Sequence, residues 1–124
     1  MNSCRTALLI RCSREEAATV RAQAHAERRT ISGCILNILE RSLWMEEQYS
    51  RGMTRSFLEN QAREFRLMHR IYDRTTMLLR CSVQEAERIR AKAYNRHMSI
   101  SEFVGFSLWR HWEATNKIRR PKNT

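Results

Sequence analysis

An internal repeat constrains this chain more than any other feature of its sequence. The segment that begins at Arg5 returns without a gap at Arg74, 69 residues further along the chain. The correspondence continues to Leu43 and Trp112, and 15 of its 39 aligned pairs are identical. Self-similarity of this kind indicates two copies of one structural unit. The sequence therefore predicts four parts: unit 1 at 5–44, a helical connector at 45–73, unit 2 at 74–113 and a basic tail at 114–124.

Each copy begins with the alternating pattern of a β-strand. In the first copy Leu8, Ile10 and Cys12 alternate with Ala7, Leu9 and Arg11. The opposite register would bury Arg11, and an unpaired guanidinium is costly to bury. We therefore expect one buried face and one outward face. The outward face of the two strands would carry Arg5, Ala7, Leu9 and Arg11 with Arg74, Thr76, Leu78 and Arg80.

Helix-capping patterns follow both strands. Ser13 and Ser82 each stand three residues before a glutamate, which is the spacing of a capping box. Thr30 and Ser99 are the expected caps of a second helix in each copy, with Glu102 completing a box after Ser99. Each copy therefore reads as strand, helix, turn, helix.

A further helix is predicted between the repeats, because apolar residues recur there at helical spacing: Leu58, Ala62, Phe65, Met68 and Tyr72. Phe106 and Trp109 align with Asn37 and Glu40, so the second copy has additional apolar surface on its outer helix. Docking of the connecting helix on that surface is the interpretation we favour. A partner or self-association surface at Phe106 and Trp109 is the alternative.

A single unit of one strand and two helices is too small to bury an adequate core, and its lone strand would leave backbone groups unpaired. Two units that pair their strands antiparallel and interlock their helices remove both problems. We therefore expect a mainly α-helical fold with a short two-stranded antiparallel ribbon. Its two halves would form an intramolecular pseudo-dimer joined by the helical connector, with a swapped dimer as the alternative.

The net charge narrows the classes of partner. The chain has 23 lysines and arginines against 13 aspartates and glutamates, a net charge of +10. This favours polyanions, with nucleic acid before an anionic membrane surface. Nearly all the basic residues are arginines, which suit phosphate and guanine, although a GC-rich genome would produce the same bias. The basic tail is either a solvated end or a phosphate-contacting arm.

Other classes are disfavoured. No segment reaches the ~18–20 apolar residues of a membrane span or resembles a signal peptide, so we expect a cytoplasmic protein without a membrane partner. The cysteines and histidines lack paired ligand spacing, so we expect buried reduced thiols and no metal. Glycine-rich phosphate loops and nucleophile motifs are missing, so we expect neither an enzyme nor a cofactor.

The strand and helix-start motifs resemble those of the ribbon-helix-helix family, the MetJ/Arc/CopG group of DNA-binding proteins. The resemblance covers 5–44 and 74–113, and the second unit is the closer match through LRCSVQEAERI at 79–89 and MSISEFV at 98–104. That unit is also similar to MobC/NikA-type plasmid mobilisation proteins. Two fused units are also a feature of TraY of conjugative plasmids.

This resemblance implies double-stranded DNA as the partner, with the outward face of the ribbon reading base edges in the major groove. The implied base-contacting residues are Arg5, Leu9, Arg11, Arg74, Thr76, Leu78 and Arg80. The amino end of the second helix would hold phosphate, through Arg28, Arg29, Thr30, Ser32, Arg96, His97, Ser99 and Ser101. The family usually places polar residues where Leu9 and Leu78 stand. These leucines could pack against thymine methyl groups, or the ribbon could meet a protein surface instead.

Three functions remain open at this level. The first is an accessory factor of conjugation or plasmid mobilisation (the relaxosome) or its autoregulator, with a relaxase, another DNA-bound protein or further copies on DNA as partners. The second is a transcriptional repressor. The third is an antitoxin, which the short basic segment after Trp112 disfavours because such proteins usually carry a disordered toxin-binding tail.

Overall fold

The protein is mostly helical, with one two-stranded antiparallel sheet. A computed structural model describes residues 5–49, 60, 62–65 and 74–115, and their side chains except those of 43–49 and 114. The elements follow the expected order within each repeat: β1 (Arg5–Ser13), α1 (Arg14–Ala26), α2 (Ile31–Tyr49), β2 (Arg74–Ser82), α3 (Val83–Asn95) and α4 (Ile100–Ala114). Helix α2 continues to Tyr49, beyond the unit boundary expected at residue 44. The basic tail from residue 116 lies outside the described residues.

The two strands pair with each other along their whole length. Leu9 lies opposite Leu78 at the centre of the ribbon, and Arg5 lies opposite Ser82 at one end. Leu9 and Leu78 are also partners in the repeat alignment, so the register is symmetrical about this pair. The same alternation of exposed and buried residues runs along both strands. The strand faces predicted from the sequence are therefore confirmed.

Three of the four helix starts have a complete capping box. The side chains of Ser13, Ser82 and Ser99 each accept from the backbone N–H three residues later, and the glutamate there bonds back to the cap. Thr30 caps α2 by accepting the Gly33 N–H at 3.0 Å, and Gly33 has no side chain to close a box. The predicted caps are confirmed.

The hydrophobic core is shared between the repeats. Helix α2 of unit 1 packs on β2 of unit 2, α4 of unit 2 packs on β1 of unit 1, and α2 and α4 pack on each other. Each strand therefore lies under helices from both repeats. Helices α1 to α4 each bury one face in this core. The residues they bury include Ala17, Val20, Ala24, Cys34, Ile35, Ile38, Leu39, Ala86, Ile89, Ala93, Phe103, Val104, Ser107, Leu108 and Trp112.

Two polar contacts also join the repeats. The Trp112 indole N–H donates to the Gln23 Oε1 atom at 2.8 Å, so the polar atom of this fully buried ring is satisfied. Arg88 and Glu40 form an ion pair at 2.8 Å between α3 and α2 on the exterior. The first contact is buried and the second is exposed, so their contributions to stability differ. We expect about 1–3 kcal/mol from loss of the buried acceptor and less than about 1 kcal/mol from the surface pair.

The connector covers unit 2 through Phe65. Residues 62–65 are helical, and the buried Phe65 ring lies 5.6 Å from the Phe106 ring and 5.8 Å from the Trp109 ring, between centroids. Phe106 and Trp109 are only 1% and 2% exposed. Docking of the connecting helix on this surface is therefore confirmed for residues 62–65, and the alternative of a partner surface at Phe106 and Trp109 is corrected, because the connector occupies it. The connector residues Leu58, Met68 and Tyr72 lie outside the described residues.

The repeats differ where the connector docks. A Cβ atom on Gly105 would lie 3.2 Å from the Phe65 Cζ atom, so a glycine there allows the ring to approach the helix closely. The aligned residue in unit 1 is Leu36, whose own side chain packs against the core. The partner of Trp109 in the alignment is Glu40, which forms the ion pair with Arg88. In unit 2 the connector covers this part of the outer helix. In unit 1 the aligned residues Leu36 and Glu40 contact the core and Arg88 instead.

Candidate nucleic-acid interface

The outward face of the ribbon is a basic surface with an apolar centre. Its eight side chains are all exposed: Arg5, Ala7, Leu9, Arg11, Arg74, Thr76, Leu78 and Arg80. Leu9 is 57% exposed and Leu78 is 48% exposed. The two strands contain four arginines and no acidic residue. We call these eight residues the ribbon face.

The register sets which side chains are neighbours on this face. Ala7 lies opposite Arg80, and Arg11 lies opposite Thr76, on either side of the Leu9–Leu78 pair. Within the described part of the chain, no hydrogen bond or ion pair engages the guanidinium groups of Arg11 and Arg80. The five N–H donors of each guanidinium are therefore available to a group that contacts this face. A planar guanidinium of this kind can bind the O6 and N7 atoms of guanine together.

The backbone of the ribbon face is held by serines that lie at the second residue of each outer helix. The Ser101 hydroxyl of α4 accepts the N–H of Arg11 at 2.9 Å, and the Ser32 hydroxyl of α2 accepts the N–H of Arg80 at 2.8 Å. Each bond joins one repeat to the other. The Ser32 hydroxyl also lies 3.4 Å from the Leu78 carbonyl oxygen.

Sequence reasoning assigned Ser32 and Ser101 to phosphate and missed this role. Both serines are identical in the two repeats, as are Arg11 and Arg80. The identity of the aligned serines and of the aligned arginines was the one feature of the sequence that could have indicated this role. No local sequence pattern predicts a hydrogen bond between residues about 50 to 90 positions apart. The two hydroxyls hold the ribbon in place and are only half-buried, so they still border the same surface.

The turns before α2 and α4 share an unusual backbone conformation. Arg28 and His97, which are aligned in the repeat, have φ angles of 54° and 56°. Both first helices end in a Schellman motif: Arg29 N–H bonds to Ala24 O at 2.8 Å, and Met98 N–H bonds to Ala93 O at 2.9 Å. Helices α1 and α3 end at Ala26 and Asn95, because this motif closes them.

The remaining candidates for phosphate binding surround these turns. Arg29 and Thr30 are exposed near the amino end of α2, although Arg29 also lies 3.6 Å from the Glu27 carboxylate. Ser99 is exposed at the start of α4, where the Glu102 carboxylate accepts its N–H at 3.0 Å. Helix α2 has no acidic residue in its first turn, whereas α4 has Glu102. The α2 end is therefore the more favourable of the two for an anion.

The described cysteines are internal to the fold. Cys12, Cys34 and Cys81 are free thiols and are buried. Burial, followed by the nearby Glu16 carboxylate, raises the pKa of Cys12 to about 11. Burial also raises the pKa of Cys34 and Cys81, with contributions from Glu27 and Glu85 respectively. At neutral pH these thiols are protonated and therefore poor nucleophiles and metal ligands.

Other kinds of site have little support in the described ranges. A shallow groove between α2 and α3, lined in part by Leu36, Leu39 and Ile89, has a volume of about 30 Å³, which suits water and not a substrate. No cluster of three or more metal-ligating side chains occurs among the residues with described positions. None of the helices within those residues is long and apolar enough to cross a bilayer.

Comparison with known proteins returned no match. No protein-family model, no curated protein and no solved structure is significantly similar to the chain.

Proposed function

We propose that this chain is a site-specific duplex-DNA-binding protein that inserts its β-ribbon into the major groove. The observation that carries the proposal is the ribbon face, in which four arginines surround an exposed apolar pair and no carboxylate is present. A nine-residue strand is about 30 Å long, close to one helical turn of B-DNA. The major groove is wide enough to admit a two-stranded ribbon.

The proposed architecture is a pair of ribbon-helix-helix units folded as an intramolecular pseudo-dimer. The symmetrical register about Leu9 and Leu78 supports it, and so do the reciprocal bonds from Arg11 to Ser101 and from Arg80 to Ser32. Sedimentation equilibrium tests this arrangement. A folded monomer of 14.8 kDa is expected, and a folded dimer that only dissociates with unfolding would favour strand exchange between chains.

Two classes of contact would act together on the duplex. Arg5, Arg11, Arg74 and Arg80 would bind guanine edges, with Thr76 as an additional polar contact and Leu9 and Leu78 against thymine methyl groups. Arg28, Arg29, Thr30, Arg96, His97 and Ser99 would place phosphates at the amino ends of α2 and α4, beside Ser32 and Ser101. The first class would specify sequence, and the second would fix the position of the protein along the groove.

The arginines of the ribbon face provide the direct test. Random duplex selection with the purified protein should enrich one sequence, and the double variant Arg11→Ala/Arg80→Ala should lose about 1–3 kcal/mol per good bidentate contact at that sequence. Arg21→Ala/Arg90→Ala is the matched control, because it removes the same two charges from exposed, aligned positions on α1 and α3. Equal losses in the two double variants would show attraction by charge alone and overturn base reading.

The biological role that we favour is an accessory factor of conjugation or plasmid mobilisation, or its autoregulator. This rests on the resemblance of unit 2 and on the fusion of two units, and a relaxase or neighbouring copies on DNA would then be the partners. A transcriptional repressor is the second role. Genomic DNA capture separates them, because one site beside a nick region supports mobilisation and promoter sites support repression.

A protein-binding ribbon is the second candidate function. The exposure of Leu9 and Leu78 favours it, since an apolar centre is also typical of a protein contact. Failure of the selection to enrich any duplex would support this candidate over DNA binding.

A further inference from the structure

We infer that the DNA site of this protein is a near-palindrome whose one asymmetric base-pair position is set by Thr76 and Ala7. The inference rests on the proposed function, because it takes the ribbon face to be the base-reading surface. The same face would also set the symmetry of the target, and one residue pair would break it.

The ribbon face is nearly identical under exchange of the repeats. Its four aligned pairs are Arg5 with Arg74, Ala7 with Thr76, Leu9 with Leu78, and Arg11 with Arg80. Three of these pairs are identical in residue type, and Ala7 with Thr76 is the exception. All eight side chains are exposed, so the difference is presented to whatever contacts the face.

The register turns this sequence symmetry into a spatial one. Leu9 lies opposite Leu78, so a two-fold axis through that pair exchanges the remaining aligned residues. Arg80 has Ala7 as its cross-strand neighbour, whereas Arg11 has Thr76. The two arginines therefore sit in surroundings that differ by one hydroxyl and one methyl group.

The backbone beneath the two arginines is held alike. The bonds from the Arg11 and Arg80 amides to serine hydroxyls differ in length by only 0.1 Å, at 2.9 Å and 2.8 Å. The amides of Arg11 and Arg80 are held alike, and the residue types of the ribbon face differ between the two halves only at Ala7 and Thr76. A two-fold symmetric surface binds a palindromic DNA site, because the two half-sites meet the same side chains. One residue difference between the halves removes this requirement at one base pair of each half-site.

Alanine and threonine prefer different base edges. Threonine can donate or accept a hydrogen bond at a base edge, whereas alanine offers only apolar contact, which suits a thymine methyl group. A single hydrogen bond contributes a preference of about 3- to 10-fold. The two half-sites should therefore differ at the base pair that Thr76 contacts in one half and Ala7 contacts in the other. The base pairs that the arginines and leucines contact should remain symmetrical.

Two single substitutions restore full symmetry in opposite ways. Ala7→Thr gives threonine on both strands, and Thr76→Ala gives alanine on both strands. Both positions are exposed strand residues with no described side-chain hydrogen bond, so neither change should prevent folding, and thermal unfolding of each variant verifies this. The experiment is selection from a random duplex library with the wild type and both variants, followed by competition binding on the enriched duplexes.

We expect the wild type to enrich a near-palindrome with one asymmetric pair of positions. Each variant should enrich a full palindrome, one matching each wild-type half-site, with about 3- to 10-fold preference over the wild-type duplex. Unchanged motifs in the variants, or a wild-type motif without two-fold symmetry, would overturn the inference and leave DNA binding intact. Enrichment of no duplex by the folded wild type would overturn the proposed function and the inference with it.

Discussion

The backbone N–H of Arg11 in β1 donates to the hydroxyl of Ser101 in α4, with the two atoms 2.9 Å apart. The residues belong to different repeats, and Arg80 makes the equivalent bond to Ser32 at 2.8 Å. The amino end of each outer helix is thereby attached to the strand of the other repeat. These two bonds also fix the ribbon backbone at Arg11 and Arg80, whose side chains belong to the ribbon face.

Loss of the Ser101 hydroxyl should loosen this attachment. We expect Ser101→Ala to lower the free energy of unfolding by about 0.5–1.5 kcal/mol, because it removes one hydrogen bond between the repeats. Ser32→Ala should lower it at least as much, because it removes the bond from Arg80 and the longer contact with the Leu78 carbonyl oxygen. Urea denaturation measures the loss. Thr19→Ala is the control, since its hydroxyl bonds only to Glu15 of its own helix. An equal effect at Thr19 would argue against a special role for the serines.

The protein should be more stable with glycine than with arginine at position 28. The φ angle of 54° at Arg28 lies in the left-handed region, where a side chain costs roughly 1 kcal/mol and glycine does not. We expect Arg28→Gly to raise the free energy of unfolding by about 0.5–1 kcal/mol and, under the proposed function, to weaken DNA binding by removing a phosphate contact. His97→Gly should stabilise similarly, since its φ angle is 56°.

Ala26→Gly is the control for that prediction, because residue 26 is the last residue of α1. Glycine within a helix is destabilising by about 0.5–1 kcal/mol. Thermal unfolding of the three variants should therefore show opposite signs at positions 26 and 28. The same sign at both positions would contradict the backbone explanation.

If the proposed function is correct, thymine methyl groups at the centre of the DNA site should increase the binding affinity through contact with Leu9 and Leu78. Under the proposed function, replacing the central thymines of the selected duplex by uracil should weaken binding of the wild type by about 2- to 5-fold, because apolar contact is lost. The variant Leu9→Asn/Leu78→Asn should not distinguish the two duplexes. Tyr94→Asn, at an exposed residue of α3, should respond to uracil as the wild type does.

The Cys12 thiol should make stability decrease at alkaline pH. Its pKa is raised to about 11 by burial and by Glu16, whereas an unfolded thiol titrates near 8.5–9. The folded state keeps a proton that the unfolded state loses, so the contribution is present in full below pH ~8.5 and is lost as the pH rises towards about 11. Relative to Cys12→Val, the wild type should lose about 1–2 kcal/mol over that interval.

Denaturant unfolding at intervals of pH measures this difference. The two proteins should keep a constant difference between pH ~6 and ~8, where the thiol is protonated in both states. A difference that stays constant up to pH ~11 would show that Cys12 ionises as readily in the folded protein as in the unfolded chain.

Much of the fold follows from local sequence rules. The cost of burying Arg11 decided which face of β1 points inward, and the same rule held for β2. The serine-to-glutamate spacing located the helix starts because a capping box is a contact over three residues. Phe106 indicated where the connector packs, because an exposed apolar residue on an outer helix needs a cover.

The remaining features depend on contacts between distant parts of the chain. Nothing near Ser32 in the sequence points to the backbone of Arg80, and nothing near Gln23 points to the Trp112 indole. The left-handed backbone conformation of Arg28 was also not predictable, because a glycine at this position would have indicated it and an arginine does not.

The pairing of β1 with β2 has a consequence for the order of events during synthesis. Arg5 at the start of β1 lies opposite Ser82 at the end of β2, so β1 leaves the ribosome about 70 residues before the strand that pairs with it. A nascent chain that stops before residue 74 contains the sequences of β1, α1 and α2 but lacks β2. The exposed arginine and leucine surface, which both strands form together, is therefore complete only once both repeats have been translated.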